Sequence, residues 1–509
     1  MGIVIRQTIK GTIVNYLGTL IGFVTTFFVL TRYLTVQEVG LTRILIDSAT
    51  LFAGLAQIGS TSSIIKFFPF FRSEENKHNG FFFWTTIIPL GGFCIFAFLY
   101  LILKPTIVDT FVDKSPLFVD YYYYILPLAF VFLYQLVFEA NANVLMRIVV
   151  PRFIREVLIR LLLLVVYVLY AFKFLNLDTF VMLFCMVYVI ATLCNVLYVM
   201  SFDSVSLRYK KGFLNANLIR DYYKYSSFLL VASLVGTVTP IINTFFISAE
   251  MGLAFTGVYT IAMYMAALVE IPSRSLNAIT GPTIANDIKN NDMSNVSKIL
   301  KQVSLHQFMA ACFILFVIWT NIDLIFKILP NGDTYVAGKW VVLILGFSKL
   351  INSSVSLVGT IVSFSRYYAY SLLFTLILTI AMILFINWFI PLWGITGAAL
   401  AMLYAYVVYY VVFLIFVKYK LNVSPFSIEQ LKIILVFGVM IGINYFFNYV
   451  METFLSGINI FSEVVLRALI TFVVCVFGVY MLLKLNVSEY LRKFAERVTY
   501  LKNCRVTRY

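Results

Sequence analysis

Runs of about twenty apolar residues recur along the whole chain, separated by short polar connections, and they limit its fold more than any motif it carries. Crossing ~30 Å of hydrocarbon takes about 20 residues of helix at 1.5 Å per residue. On that measure, spans are expected at 8–31, 42–65, 81–103, 121–146, 156–172, 179–201, 226–248, 253–279, 305–326, 340–363, 367–390, 395–417, 432–450 and 464–483. Backbone groups in lipid must bond within their own segment, and runs of this length do so as helices. The expected fold class is therefore an all-α polytopic membrane protein of about fourteen transmembrane helices, with twelve to fourteen as bounds. Composition points the same way: 62% of the 509 residues are hydrophobic and only 12% are charged, with a mean hydropathy of +0.95. The first run is long enough to span and lacks a small-residue cleavage motif, so it is expected to stay in the membrane rather than act as a cleaved signal.

The net charge of +15 raises nucleic acid as a partner, but its placement argues for an anionic leaflet instead. With fourteen spans and a cytoplasmic N-terminus, twenty-seven of the 38 Lys and Arg fall in inside segments, six outside and five within spans. The six outside are Arg32, Lys104, Lys114, Lys173, Lys327 and Lys339. Such a bias places both termini in the cytoplasm.

The polar stretch 203–224 reads as a cytoplasmic linker between a six-helix lobe at 1–202 and a second at 225–420. An additional helix pair follows at 421–484. The tail 485–509 carries Tyr490, Leu491, Phe494, Val498 and Leu501 at helical spacing among basic residues, the pattern of a segment lying on an anionic surface. A weak internal repeat supports two halves. The segment from Tyr33 to Gly40 leads into span two, which ends near Pro69, and the segment from Ser248 to Gly257 leads into span eight, which ends near Pro282. Duplicated halves enclosing a site are a common transporter plan. Cysteine shows no CxxC or Cys/His spacing, and two histidines argue against a metal centre.

Three segments resemble the polysaccharide transporter branch, which includes O-antigen and capsule flippases, of the multidrug/oligosaccharidyl-lipid/polysaccharide (MOP) exporter superfamily. They are Leu30–Leu41, with Arg32, Glu38 and Gly40; Gly257–Ala262, with Tyr259; and Ile390–Ala399, with Pro391, Gly394 and Gly397. The resemblance implies two pseudo-symmetric six-helix lobes around a central cavity, with two further C-terminal helices. It also implies export of undecaprenyl-pyrophosphate-linked glycan from the cytoplasmic to the outer leaflet by alternating access, without ATP hydrolysis. Many relatives carry an acid in span seven where this chain has Asn243, which puts a cation or proton site there in doubt. No GxxxxGK[ST] loop is present.

Charge inside a span costs about 2.5–3.5 kcal/mol at its centre and marks candidate function. Arg43 and Asp47, Glu270 and Arg274, and Glu156 and Arg160 are each four residues apart, hence on one helix face. Each pair is open to two readings, an internal ion pair or part of a cavity lining. Two phosphates entering a low-dielectric cavity need cations, and Arg binds them bidentately. The substrate-binding candidates are thus Arg43, Asp47, Arg274, Glu270, Lys349 and Arg32, the last at an outer gate. Glu139, beside Asn141 and Asn143, is the candidate for coupling to an H⁺ or Na⁺ gradient unless Arg155 or Lys349 neutralises it. Asn15, Asn243 and Asn352 are candidates for sugar hydroxyls or for amide bonds between helices.

The expected function is a flippase for oligosaccharide repeat units in O-antigen, capsule or exopolysaccharide synthesis, in a bacterial inner membrane. A lipid II flippase and a cation-coupled drug exporter are the alternatives within transport. Expected partners are the lipid-linked glycan, membrane lipids and a polysaccharide polymerase, with neither nucleic acid nor a bound cofactor. An integral-membrane glycosyltransferase would need a large catalytic loop, and the longest outer connection, around Lys104–Asp120, is too short for one; enzymatic activity is not expected.

Overall fold

The apolar runs are helices, and the departures from expectation lie where polar groups start or break them. The computed structural model describes residues 14–73, 75–203, 205–208, 216–454 and 460–488. The basic tail from 489 onward, the linker core at 209–215, Arg6 and Lys10 lie outside the described residues.

In chain order the principal helices are α1 (Val14–Tyr33), α2 (Val36–Ala56), α3 (Ser60–Phe71), α4 (Phe81–Ile102), α5 (Ile125–Val144), α6 (Ile159–Ala171) and α7 (Leu177–Met200). Then follow α8 (Ala216–Glu250), α9 (Leu253–Ala267), α10 (Ile271–Lys289), α11 (Met293–Thr320), α12 (Lys339–Phe364), α13 (Tyr370–Leu421), α14 (Ile428–Phe454) and α15 (Ile460–Lys484). Among the described residues, 11 helices are long and apolar enough to cross a membrane. One of these is α13, whose 52 residues would reach roughly 78 Å if straight, more than twice a bilayer core. It is not straight. Gly394 takes φ 57°, ψ −134°, and a Cβ on Gly397 would stand 2.0 Å from the Phe389 carbonyl oxygen, so the chain folds back there. Phe374 and Phe413, one on each arm, meet edge to face with ring centroids 4.8 Å apart. The two arms are the two spans expected at 367–390 and 395–417.

Span two begins at Val36 rather than at residue 42 because a capping box starts it. The Thr35 N–H donates to the Glu38 carboxylate at 2.8 Å, and the Glu38 N–H donates to the Thr35 hydroxyl. Charged residues at 38, 43 and 47 lower the hydropathy of that stretch, which is why the apolar run appeared to start later. The same span breaks between α2 and α3, where Ile58 and Gly59 both have positive φ. Span eight also breaks, at a 3-10 turn, Leu268–Glu270, before Pro272. Span five is longer than expected: Val149–Phe153 and a π-helical turn, Ile154–Leu158, precede α6. Helix α8 begins at Ala216 and so enters the stretch expected to be linker.

The chain divides into two compact units. The first comprises Met1–Ile261, Leu329–Tyr335 and Met382–Ala398; the second comprises Ala262–Ile328, Val336–Ala381 and Ala399–Tyr509. In the first, α2 is central and packs against α4, α5 and α8, with Leu41, Ile44, Leu45 and Ala49 excluded from solvent. In the second, α10, α11 and α12 pack on one another. There α14 and α15 join α11 through Leu305, Phe316, Phe437, Met440 and Val474. Phe98, Leu384, Trp388 and Phe472 stand more than half exposed on outward faces, as lipid contact requires and water would not allow.

Candidate functional site

The stripe Gly40, Arg43, Asp47, Gly54 runs down one face of α2, set by steps of three, four and seven residues. Arg43 Nε lies 2.8 Å from Asp47 Oδ2, with side chains 15% and 4% exposed. The Thr244 side chain also bonds to that carboxylate. Gly54 permits the close approach of α8, since a Cβ there would stand 2.6 Å from the Thr237 hydroxyl. Beside this pair, Asn243 Nδ2 donates to the Tyr259 hydroxyl at 2.6 Å and to the Ala398 carbonyl at 3.4 Å. The first unit thus carries a buried, largely self-satisfied polar group.

The second unit holds a different arrangement. Glu270 ends the 3-10 turn and is buried. Lys349 Nζ lies 3.3 Å from its Oε1, and Arg274 Nη2 lies 3.3 Å from its Oε2. Asn352 Nδ2 donates to Oε1 at 2.5 Å, and the Tyr410 hydroxyl donates to Asn352 Oδ1. Two cations therefore face one carboxylate. They are unequally placed: the Lys349 side chain is 15% exposed and the Arg274 side chain 69%. A guanidinium that reaches out from a buried carboxylate, which is also neutralised from behind, is available to an anion. Gln307 and Asn277 continue the polar interior, with Gln307 Nε2 donating to Asn277 Oδ1 at 2.7 Å and Asn277 Nδ2 to Ser356 Oγ at 2.9 Å.

Glu139 on α5 is met by a cation from another segment. Arg155 Nη1 bonds both its oxygens at 2.7 and 2.8 Å. Arg155 also reaches Glu156 at 3.2 Å, and Glu156 reaches Arg160 at 3.1 Å. The π-helical turn at Ile154–Leu158 presents Arg155 and Glu156 to this chain of alternating charges. Helix α1 lies over it: a Cβ on Gly18 would meet the Glu156 carbonyl oxygen at 2.4 Å, and one on Gly22 would lie 3.2 Å from the Arg160 guanidinium carbon. Arg32 stands at the end of α1 over the Tyr33 ring, 5.4 Å from its centroid.

The three i,i+4 pairs read from the sequence all form. Lys349 joins Glu270 and not Glu139. Tyr410, Tyr259 and Thr244 complete the two clusters; Tyr259 stands in the Gly257–Ala262 motif, but the sequence marks neither Thr244 nor Tyr410, since nothing distinguishes Tyr410 among 33 tyrosines before the helices are packed.

No protein-family model and no curated protein sequence matches this chain. Solved structures do match it. A lipid II flippase MurJ in an inward closed conformation superposes with a TM-score of 0.72 at 12% identity, covering 92% of this chain and 98% of that one. An inward-facing multidrug resistance MATE family transporter of the MOP superfamily gives 0.58 at 14%, covering 82% and 98%. A MATE structure in complex with MaL6 gives 0.51 at 14%, covering 82% and 96%. At these identities the likeness is one of fold, and the MOP-like transporter fold is the one the sequence motifs implied.

Proposed function

We propose that this protein is a flippase that carries a lipid-linked oligosaccharide, joined through pyrophosphate to an undecaprenyl-type lipid, from the cytoplasmic to the outer leaflet of a bacterial inner membrane. Both termini lie in the cytoplasm on this reading, and transport proceeds by alternating access. The observation that carries it is the cluster at Glu270, where two cations share one buried carboxylate and Arg274 remains open to an anion. A hydrophobic cation, the substrate of a drug exporter, would be repelled by that surplus positive charge. Substrate phosphate binds Arg274 while Lys349 and Asn352 keep Glu270 compensated, so loading leaves no bare buried carboxylate.

Lipid II is the second reading. It shares the pyrophosphate and the lipid, and the 0.72 superposition on a lipid II flippase over 92% of the chain favours it among the alternatives. Depleting the protein separates the two. Loss of surface glycan with continued growth is expected for the oligosaccharide reading; lysis with accumulated lipid II would replace it with the second. In either case, Arg274→Ala should insert and accumulate but fail to restore the lost phenotype. Full restoration by this variant would remove the Glu270 cluster from the substrate path.

A further inference from the structure

The turns Leu34–Thr35 and Met251–Gly252 occupy matching places in the two sequence repeats, and the first unit brings the helices that follow them together. A Cβ built on Gly40 of α2 would stand 2.0 Å from the Leu253 carbonyl oxygen; one built on Gly257 of α9 would stand 2.1 Å from the Val36 carbonyl oxygen. Val36 lies four residues before Gly40, and Leu253 four before Gly257, so the contact is reciprocal. Real Cβ atoms do not approach closer than 3.0 Å, so neither glycine can bear a side chain while the helices stand like this. Other connections converge on the same place. Ser115 Oγ donates to the Ser248 carbonyl at 2.6 Å. Gly252, at φ +96°, faces the Lys114 carbonyl, and Gly394 lies against the Met251 methyl. Asn331 Nδ2 donates to the carbonyls of Thr31 and Arg32 at 2.9 and 3.3 Å.

We propose that this junction is the outer gate, closed by backbone-to-backbone contact of α2 and α9 through Gly40 and Gly257. The inference rests on the topology and alternating access proposed above. Contacts of a glycine Cα with a carbonyl are individually weak and can be made and broken without unpairing a charge. The gate is also wired to the polar group beneath it. Arg43 follows Gly40 by three residues and Tyr259 follows Gly257 by two, so parting the helices shifts the Arg43–Asp47 pair against Asn243–Tyr259. Arg32 takes part through its carbonyl, which caps the Asn331 amide.

The test uses Leu253→Cys, a buried position, in a variant without the native cysteines, probed on intact cells with a membrane-impermeant maleimide. Gly40→Ala or Gly257→Ala should raise its labelling rate about tenfold by disfavouring closure. The two together should add nothing beyond either, because both act on one contact. Gly91→Ala, whose Cβ would meet nothing within 4 Å, should leave the rate unchanged. Separately, a short bifunctional thiol reagent joining Val36→Cys to Leu253→Cys should stop transport until the link is cleaved. Labelling as slow in both alanine variants as in the parent, or transport that continues through the link, would overturn the gate. Should the alanine variants fail to accumulate, the cross-link decides. Labelling that changes as expected while the parent moves no lipid-linked glycan would keep the gate and remove the substrate reading.

Discussion

Asp47 and Glu270 are both buried carboxylates within spans, but they face different company. Among the described residues, the ion pairs give Asp47 one cation, at 2.8 Å, and Glu270 two, each at 3.3 Å. Removing one member of a buried pair strands the other charge, at a cost of about 3–5 kcal/mol. Asp47→Ala should therefore lower the melting temperature in detergent sharply, because Arg43 is 15% exposed and loses its carboxylate. Arg274→Ala should behave in the opposite manner. Its side chain is 69% exposed, and Glu270 keeps Lys349 and Asn352, so stability should change by less than about 1 kcal/mol while transport is lost. A thermal melt of the two variants side by side separates a structural from a substrate-facing arginine. Glu139→Gln should also be mild, since Arg155 is 43% exposed and retains Glu156; transport that survives it would place gradient coupling elsewhere. Spacing made the i,i+4 pairs legible, because residues four apart share a helix face. The second cation on Glu270, and the Asn352 and Tyr410 behind it, were not legible as one group. Asn352 is 82 residues from Glu270, and Tyr410 is 58 from Asn352; only packing brings them together.

Helices were read from length and apolarity, and breaks were not. Ile58 lies at φ 48°, a conformation that a β-branched residue adopts only when its surroundings impose it. The neighbour that fits against this bend is Gly92 of α4. A Cβ there would stand 2.1 Å from the Ala56 carbonyl oxygen and 2.8 Å from the Ile58 side chain, whereas one on Gly91 would meet nothing within 4 Å. Adjacent substitutions should thus differ. Gly92→Ala should destabilise by about 1–3 kcal/mol through overpacking, and Gly91→Ala should be neutral or slightly stabilising, as alanine is in a helix. Equal melting temperatures for the two variants would mean that the bend in span two does not rest on α4. No local pattern distinguishes Gly91 from Gly92, since their difference lies wholly in what α4 packs against. Pro391 and Gly394, in contrast, did announce the reversal that separates the arms of α13.

At the scale of the molecule, hydropathy and the distribution of basic residues defined a polytopic helical protein, and three short motifs pointed to its transporter fold. The superposition on a lipid II flippase over 92% of the chain at 12% identity shows that very different sequences adopt this fold: a lipid-facing position needs only an apolar side chain. What such positions cannot encode is the cargo, and for that the charges inside the spans are the informative residues. Net positive charge at the Glu270 cluster is the feature on which the account depends. The most direct measurement is transbilayer movement of a fluorescent undecaprenyl-pyrophosphate-linked oligosaccharide in liposomes containing the purified protein, alongside Arg274→Ala at matched content. The parent protein should expose the probe to an external quencher, and Arg274→Ala, with an unchanged melt, should not exceed protein-free liposomes. Equal rates for the parent and Arg274→Ala, or a parent no faster than protein-free liposomes, would contradict it.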